Sequence, residues 1–335
     1  MGADPADVRY LNGLASGYRL SQVLYVFVEL GIADELAAGP RSVPALAERT
    51  GSHPSSLRRL LRMATALGLV AETYPDRFAL TGRGALLRAD APDSLRPRAR
   101  SIGTPSQWAT WGELLATVRT GAPAFPDRHG TTSFDFFDRT SGAGEAFQDR
   151  MTVEARRRGA AIADACDFSA ARRLVDVGGG TGGILAAILA RCPAVTGVLF
   201  DLPYALEGAP SVLAEAGVAD RVELVAGDFR AGVPPDADAY LLSAILHSWN
   251  DADSVRLLAS CLRYAERVVV VDEVIDTRHH VAQLLLKDLQ LMVHTNGRQR
   301  TEGEFRALLA AAGADLVRVA RTGLGDTVME AVPRR

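Results

Sequence analysis

Residues 174–189 read LVDVGGGTGGILAAIL, and the reading of this stretch decides the fold. Leu174, Val175, Asp176 and Val177 form a short run that predicts a buried strand. Gly178, Gly179, Gly180, Gly182 and Gly183 follow, interrupted only by Thr181, and then Ile184, Leu185, Ile188 and Leu189 recur with helical spacing. A strand that turns sharply into a helix through glycines brings bare backbone up to a ligand. Glycine has no side chain to hold a cofactor off, it tolerates positive φ, and the first turn of a helix carries unpaired N–H groups.

Two cofactor classes fit that turn. Gly178, Gly180 and Gly183 satisfy the G-x-G-x-x-G of dinucleotide binders, and Asp201 closes the next apolar run, 195–200, where a ribose-binding acid belongs. A dehydrogenase is one reading. Asp176, two residues before the first glycine, favours the other, because a carboxylate would repel a diphosphate and attract an ammonium group. Acid-x-Gly-x-Gly, followed by an acid ending the second strand, resembles the S-adenosylmethionine-dependent methyltransferases.

The chain has 335 residues, enough for two domains, with 48% hydrophobic and 23% charged residues. A net charge of -3 gives no general attraction to nucleic acid or to a membrane surface. Cys166, Cys192 and Cys261 stand apart from one another, so neither a disulfide framework nor a zinc site is expected, and a reducing compartment fits. No signal peptide and no segment of membrane-spanning length is apparent, so a cytoplasmic location is expected. Lys287 is the single lysine; every other basic residue is arginine.

Three segments are expected: a winged-helix-like dimerisation domain over 1–100, connecting helices contributing to a substrate pocket over 101–165, and a cofactor-binding domain over 166–335. Residues 11–36 are helical in pattern and apolar on nearly every side, which calls for burial against another domain or a second subunit, hence a homodimer. In 42–83, Ser42 caps one helix, 54–67 forms a second with Leu57, Leu60, Leu61 and Ala64 inward, and 69–71 with 78–80 make a β wing. Between 41 and 100 there are eleven arginines against five acids. DNA recognition through Arg58, Arg59 and Arg62 is one reading; the dimerisation reading, with the arginines solvated or paired inside the domain, is preferred, so nucleic acid is not expected as a partner. The aromatic-rich 101–158 region, including Phe147 and Met151, suits the lining for an apolar aromatic substrate.

Beyond the glycine turn, strands at 195–201, 222–226, 239–244 and 268–273 alternate with helices at 204–216 and 254–264, which predicts a doubly wound α/β sheet. Helical stretches at 281–293 and 302–312 precede a hairpin, 316–320 with 327–332. Ligands of such sheets bind at the carboxyl ends of the strands. Asp201 with Leu202, Asp228 with Phe229, the 243–249 segment with Ser243 and Trp249, and Asp272 with Glu273 all leave those ends. Asp201 suits two ribose hydroxyls, Asp228 an adenine amino group, and Phe229 the adenine ring. His247 is the candidate base. His53, His129, His279 and His280 lie in turns or polar segments where solvated roles are expected.

The order DVGGGTG, FDLP, GDF, LHSWND and NGRQRTEGEF resembles the plant-type small-molecule O-methyltransferases and their bacterial relatives acting on aromatic polyketides, over nearly the whole chain. The resemblance implies a Rossmann-like methyltransferase sheet with a terminal antiparallel hairpin, S-adenosylmethionine as cofactor, and methyl transfer to a phenolic hydroxyl. It implies His247 as base, Glu273 as the acid that orients it, and Met292 and Asn296 in the acceptor pocket. Gln299 stands where the family often has a second acid, and Ser248 where it commonly has Asp after the histidine. A rival within the resemblance keeps the cofactor bound for hydroxylation, decarboxylation or rearrangement.

Overall fold

The computed structural model describes residues 3–92, 94–140, 142–276 and 281–334, so His279 and His280 lie outside the described residues. Two compact units form, Met1–Trp108 and Ala109–Arg335.

In the first unit a long helix, Pro5–Glu29, starts at Asp4, whose side chain accepts from the Ala6 N–H at 2.8 Å. Its end packs inward through Phe27 and Val28, whereas Leu11, Leu14, Tyr18 and Leu20 remain exposed in the single chain. The helices Val43–Thr50 and Pro54–Ala66 bury Leu46, Leu57, Leu61 and Ala64. A small antiparallel sheet of β1 (Arg41–Ser42), β3 (Arg77–Leu80) and β2 (Val70–Tyr74) supplies the wing. Arg59 and Arg62 are exposed, whereas several other arginines pair within the unit. Arg58 pairs with Asp76, Arg49 with Glu35, Arg96 with Asp34 and Arg100 with Glu29, while Arg77 and Arg83 donate to the Pro40 and Leu67 carbonyls.

The second unit is built on a seven-stranded sheet in the order β6-β5-β4-β7-β8-β10-β9. Its strands are β4 (Arg173–Val177), β5 (Thr196–Asp201), β6 (Val222–Ala226), β7 (Ala239–Ser243), β8 (Arg267–Glu273), β9 (Ala314–Arg321) and β10 (Asp326–Pro333). The first five pair in parallel; β10 runs antiparallel between β8 and β9, as the terminal hairpin requires. Strand alternation divides the core into two layers. Leu174, Leu199, Leu241, Val269 and Val271 face the helix Gly183–Arg191 and its neighbours. Val175, Tyr240, Leu242, Val268 and Val270 face the helices Asp251–Leu262 and Glu302–Ala311. Each fully buried valine or leucine contributes about 1.5–3 kcal/mol, so the central strands anchor the unit.

The expected helix over 204–216 is two short ones, Pro203–Leu206 and Ala209–Glu215. Pro210 explains the break: it lacks an N–H and opens the second helix in its first turn. Strand order reverses at β4, which has β5 on one side and β7 on the other. That switch point opens a crevice at the carboxyl ends of the strands.

Candidate active site

Three glycines of the turn after β4 have positive φ: Gly178 at 68°, Gly180 at 58° and Gly182 at 80°. A β-carbon on Gly178 would run into the Ile245 side chain, whereas one on Gly180 would meet nothing within 4 Å, so the loop has an open face at Gly180. Asp201 braces it from β5. One carboxylate oxygen accepts the Gly180 N–H at 2.8 Å and the other the Leu202 N–H at 2.7 Å. Each oxygen keeps a lone pair, which leaves the group able to accept from a pair of hydroxyls. Gly183 serves packing instead. It opens the helix Gly183–Arg191 against the long helix Ala143–Ala165, where a β-carbon on Gly159 would lie 2.8 Å from Ala187 Cβ and 3.0 Å from the Gly183 carbonyl.

Asp176 ends beneath this loop, 1% exposed, with neither carboxylate oxygen hydrogen-bonded among the described residues. Burial, aided by the nearby Asp201, pushes its carboxyl up to about 7. The Ser243 hydroxyl at the end of β7 is also buried without a partner among the described residues. An orphaned carboxylate and hydroxyl flanking an open glycine turn match an ammonium-bearing nucleoside cofactor, which the diphosphate of a dinucleotide would not. Asp228 after β6 is held by Arg230 at 2.8 Å, and that hydrogen bond keeps its carboxyl below the ordinary range. Phe229 meets Trp249 edge-on, with centroids 5.4 Å apart, and Phe134 stacks on the same indole at 6.1 Å. Asp228, Phe229, Ser243 and Trp249 therefore gather round the same crevice.

His247 sits in a short turn after β7, buried, with Nδ1 2.7 Å from Asp272 Oδ1 at the end of β8. Sequence reading assigned the orienting role to Glu273. The side chain that meets His247 is that of Asp272, because consecutive strand residues point to opposite faces and Asp272 shares the face of Val268 and Val270, on which Leu246 also packs. Glu273 pairs with Lys287 instead. Burial raises the Asp272 carboxyl, but His247, Lys287 and Arg158 together outweigh it, and the net shift is downward. An ionised Asp272 accepts from Nδ1–H, which leaves Nε2 with its lone pair free to take a proton.

Residue placement around His247 depends on strain and on a buried arginine. Ala244 is in the left-handed region, φ 58°, where β7 turns away. Arg300, 0% exposed, donates to the carbonyls of Leu246 and Trp249, both at 2.7 Å, and to Asp251 at 2.8 Å. Gln299 beside it is 2% exposed, and neither side-chain amide atom has a partner among the described residues. Gly297 packs against the His247–Ser248 backbone so closely that no side chain fits there. Sequence reading placed Asp272 at the site's edge without a role, and missed Lys287 and the structural role of Arg300. Arg300-Thr301-x-x-Glu304, a capping box behind an arginine, was the available signal.

Among the proposed acceptor residues, Phe147 stacks on Phe137 at 4.6 Å with the Arg150 guanidinium 5.4 Å above it. Met151 and Met292 are half-buried, and Asn296 is exposed. His294, unassigned from sequence, lies against Phe125 at 5.3 Å and donates from Nδ1 to the Gln290 carbonyl. Burial lowers it to about 4, so it is neutral at physiological pH. Among the described residues no cluster suited to a metal ion occurs, and no helix is long and apolar enough to cross a membrane.

The model of the O-methyltransferase domain matches residues 111–315, and that of the O-methyltransferase dimerisation domain matches 12–90. Phenazine O-methyltransferase PhzM of Lysobacter antibioticus is 37% identical over 335 residues, covering 99% of this chain and 98% of that protein. Aclacinomycin 10-hydroxylase RdmB of Streptomyces purpurascens is 35% identical over 302 residues, covering 88% and 80%. The solved structure of the mitomycin 7-O-methyltransferase MmcR superposes with a TM-score of 0.93 at 35% identity, covering 98% of each chain.

Proposed function

The chain belongs to the O-methyltransferase family, and from that premise we propose that it methylates a phenolic hydroxyl of a small aromatic natural product, polyketide-like in character, as a cytoplasmic homodimer. S-adenosylmethionine is the family's cofactor, and it supplies an electrophilic methyl group on a sulfonium. Asp201, Asp228 and Phe229 are assigned to its nucleoside, and Asp176 to its ammonium end. Gly178 and Gly180 give backbone access, with Leu202, Ser243 and Trp249 around them.

The observation that carries the reading is the buried His247–Asp272 dyad beside the glycine loop. A phenol near pKa 10 and an imidazole near 6.5 differ by about 3.5 units, so complete proton transfer in water would cost about 5 kcal/mol. Asp272 offsets part of that by stabilising the imidazolium as it forms. Phe147, Met151, Met292 and Asn296 are assigned to the acceptor, where stacking orients the ring and alignment lowers the barrier further.

Incubating the protein with methyl-labelled S-adenosylmethionine and a panel of hydroxylated phenazines, naphthols and anthraquinones tests the reading. Labelled ether together with S-adenosylhomocysteine is the expected result. His247→Ala should cut turnover by about 10²–10⁴-fold; near-normal turnover in the folded variant would refute the base assignment. The relative that is a hydroxylase, together with a neutral Gln299 in place of a second acid, favours one alternative, cofactor-dependent hydroxylation. Oxygenated product carrying no label would establish it.

A further inference from the structure

Gln299 is 2% exposed, and both atoms of its side-chain amide, Oε1 and Nε2, are buried without a hydrogen-bond partner among the described residues. A primary amide brings N–H donors and an acceptor oxygen, and leaving them unmade inside a protein is costly. The backbone around this amide is nonetheless pinned. Gln299 N–H donates to Asp288, on the helix Ala282–His294, at 2.7 Å, and the carbonyl of the next residue, Arg300, accepts the Ile275 N–H at 2.9 Å beyond β8. A polar side chain on so firmly held a backbone, paired with nothing, calls for a ligand.

The chain on either side of it follows the turn that carries His247. Gly297 lies against the His247 and Ser248 main chain, and Arg300 donates to the carbonyls of Leu246 and Trp249, so Gln299 falls between two residues that both touch that turn. Lys287 pairs with Glu273, Arg158 with Asp326 and Arg300 with Asp251, so these cations are committed. His247 presents the lone pair of Nε2, and Asp272 and Glu273 are carboxylates, which only accept. The Gln299 amide adds N–H donors to this edge. We propose that Gln299 is a specificity residue whose amide N–H binds a carbonyl oxygen next to the reacting hydroxyl, so that the substrate is an aromatic ring with its hydroxyl ortho or peri to a carbonyl.

The chemistry of such a ring supplies the reason for a donor. A hydroxyl beside a carbonyl donates to it internally, which withholds its proton from an external base. An N–H from Gln299 competes for that carbonyl oxygen and releases the O–H toward His247. The O–H bond then breaks as Nε2–H forms, and its electron pair stays on the oxygen that accepts the methyl group. Hydrogen bonding at the carbonyl also stabilises the phenolate as it develops. Oε1 is left to take a further O–H or N–H of the ring system. A ring with an isolated hydroxyl leaves the buried amide unpaired, and a site built to hydrogen-bond a group rejects the analogue that lacks it.

This inference rests on the crevice taking a phenolic substrate, and a pair of isomers tests it separately from turnover. 1-Hydroxyanthraquinone has its hydroxyl peri to a carbonyl, and 2-hydroxyanthraquinone does not. Their affinities are measured by quenching of tryptophan fluorescence with S-adenosylhomocysteine present. Gln299→Leu should lower the ratio of affinities, first isomer over second, by about 5–10-fold relative to the parent. Gln299→Glu, of the same shape but without the donor, should lower it at least as much. A ratio that neither variant moves, or a parent that binds neither isomer, overturns the proposal.

A purely structural amide makes the opposite prediction for the ligand-free protein. Removing two unpaired buried polar atoms should leave Gln299→Leu with a thermal midpoint equal to the parent's or higher. A fall of more than about 3 °C would show that the amide holds the fold, and would overturn the assignment. Turnover separates the two readings: methylation with an unmoved ratio sinks the role of Gln299 alone, whereas a lowered ratio with no labelled ether sinks methyl transfer and leaves that role standing.

Discussion

Asp176 shows how much one residue of the candidate site costs the protein before a ligand arrives. Its carboxyl stands near 7 in the folded chain, against about 3.9 in an unfolded one, so between those values the folded state holds a proton that the unfolded state has released. Stability from this group is full below about pH 4 and is lost as pH rises toward 7, a change of about 4 kcal/mol. Asp176→Asn should flatten that part of the ligand-free stability profile relative to the parent, as measured by urea denaturation at pH 4.5 and 7.5; parallel profiles would contradict the assignment. The same residue shows what sequence could and could not say. Its place before the glycines was legible in D-x-G-x-G, but its isolation was not, because burial of both oxygens is set by the strands on either side. His247 was legible from its position after an apolar strand. Its partner was not, since Asp272 and Glu273 are adjacent acids and only the direction of the strand face decides between them.

At the scale of elements, the site is held by contacts that no ligand touches. Arg300 joins the loop before Glu302–Ala311 to the His247 turn, through hydrogen bonds to Leu246 and Trp249. Arg300→Met should lose about 3 kcal/mol, because two buried carbonyls lose their donor and Asp251 keeps only Arg298, and it should also broaden the His247 resonance; a stability loss under about 1 kcal/mol would show that the turn holds itself. The crossing of Ala143–Ala165 on Gly183–Arg191 depends on Gly159 and Gly183 lying back to back. Gly159→Val should destabilise by about 1–3 kcal/mol in thermal denaturation and weaken cofactor binding, since the helix that moves begins at the glycine turn. Strand and helix positions in this unit follow the hydrophobic periodicity, with bounds shifted by up to three residues, as where the helix expected at 254–264 spans Asp251–Leu262. The exception, 204–216, broke where Pro210 interrupts the pattern, a signal present in the sequence but outweighed by the apolar spacing around it.

At the scale of the whole molecule, the exposed apolar stripe of Pro5–Glu29 is the feature a single chain leaves unfinished. Leu11 and Leu14 are each more than half exposed, at the start of the segment 12–90 that the dimerisation domain matches, Leu14 inside it and Leu11 one residue before it. Replacing both by Asp should convert a dimer into monomers in sedimentation velocity runs; an unchanged dimer would place the interface elsewhere. Sequence by itself determined the fold class, the class of cofactor and the dimerisation domain, and it singled out His247 as the candidate base, because each is written in local periodicity or in short motifs with fixed spacing. Tertiary structure alone decided which acid orients His247, that Gly183 packs a helix where a dinucleotide reading would give it to a cofactor, that Arg58 answers Asp76, and that Lys287 stands beside the dyad. Those facts depend on which face a side chain takes and on what a distant segment brings to it, and neither is encoded in any one stretch of chain.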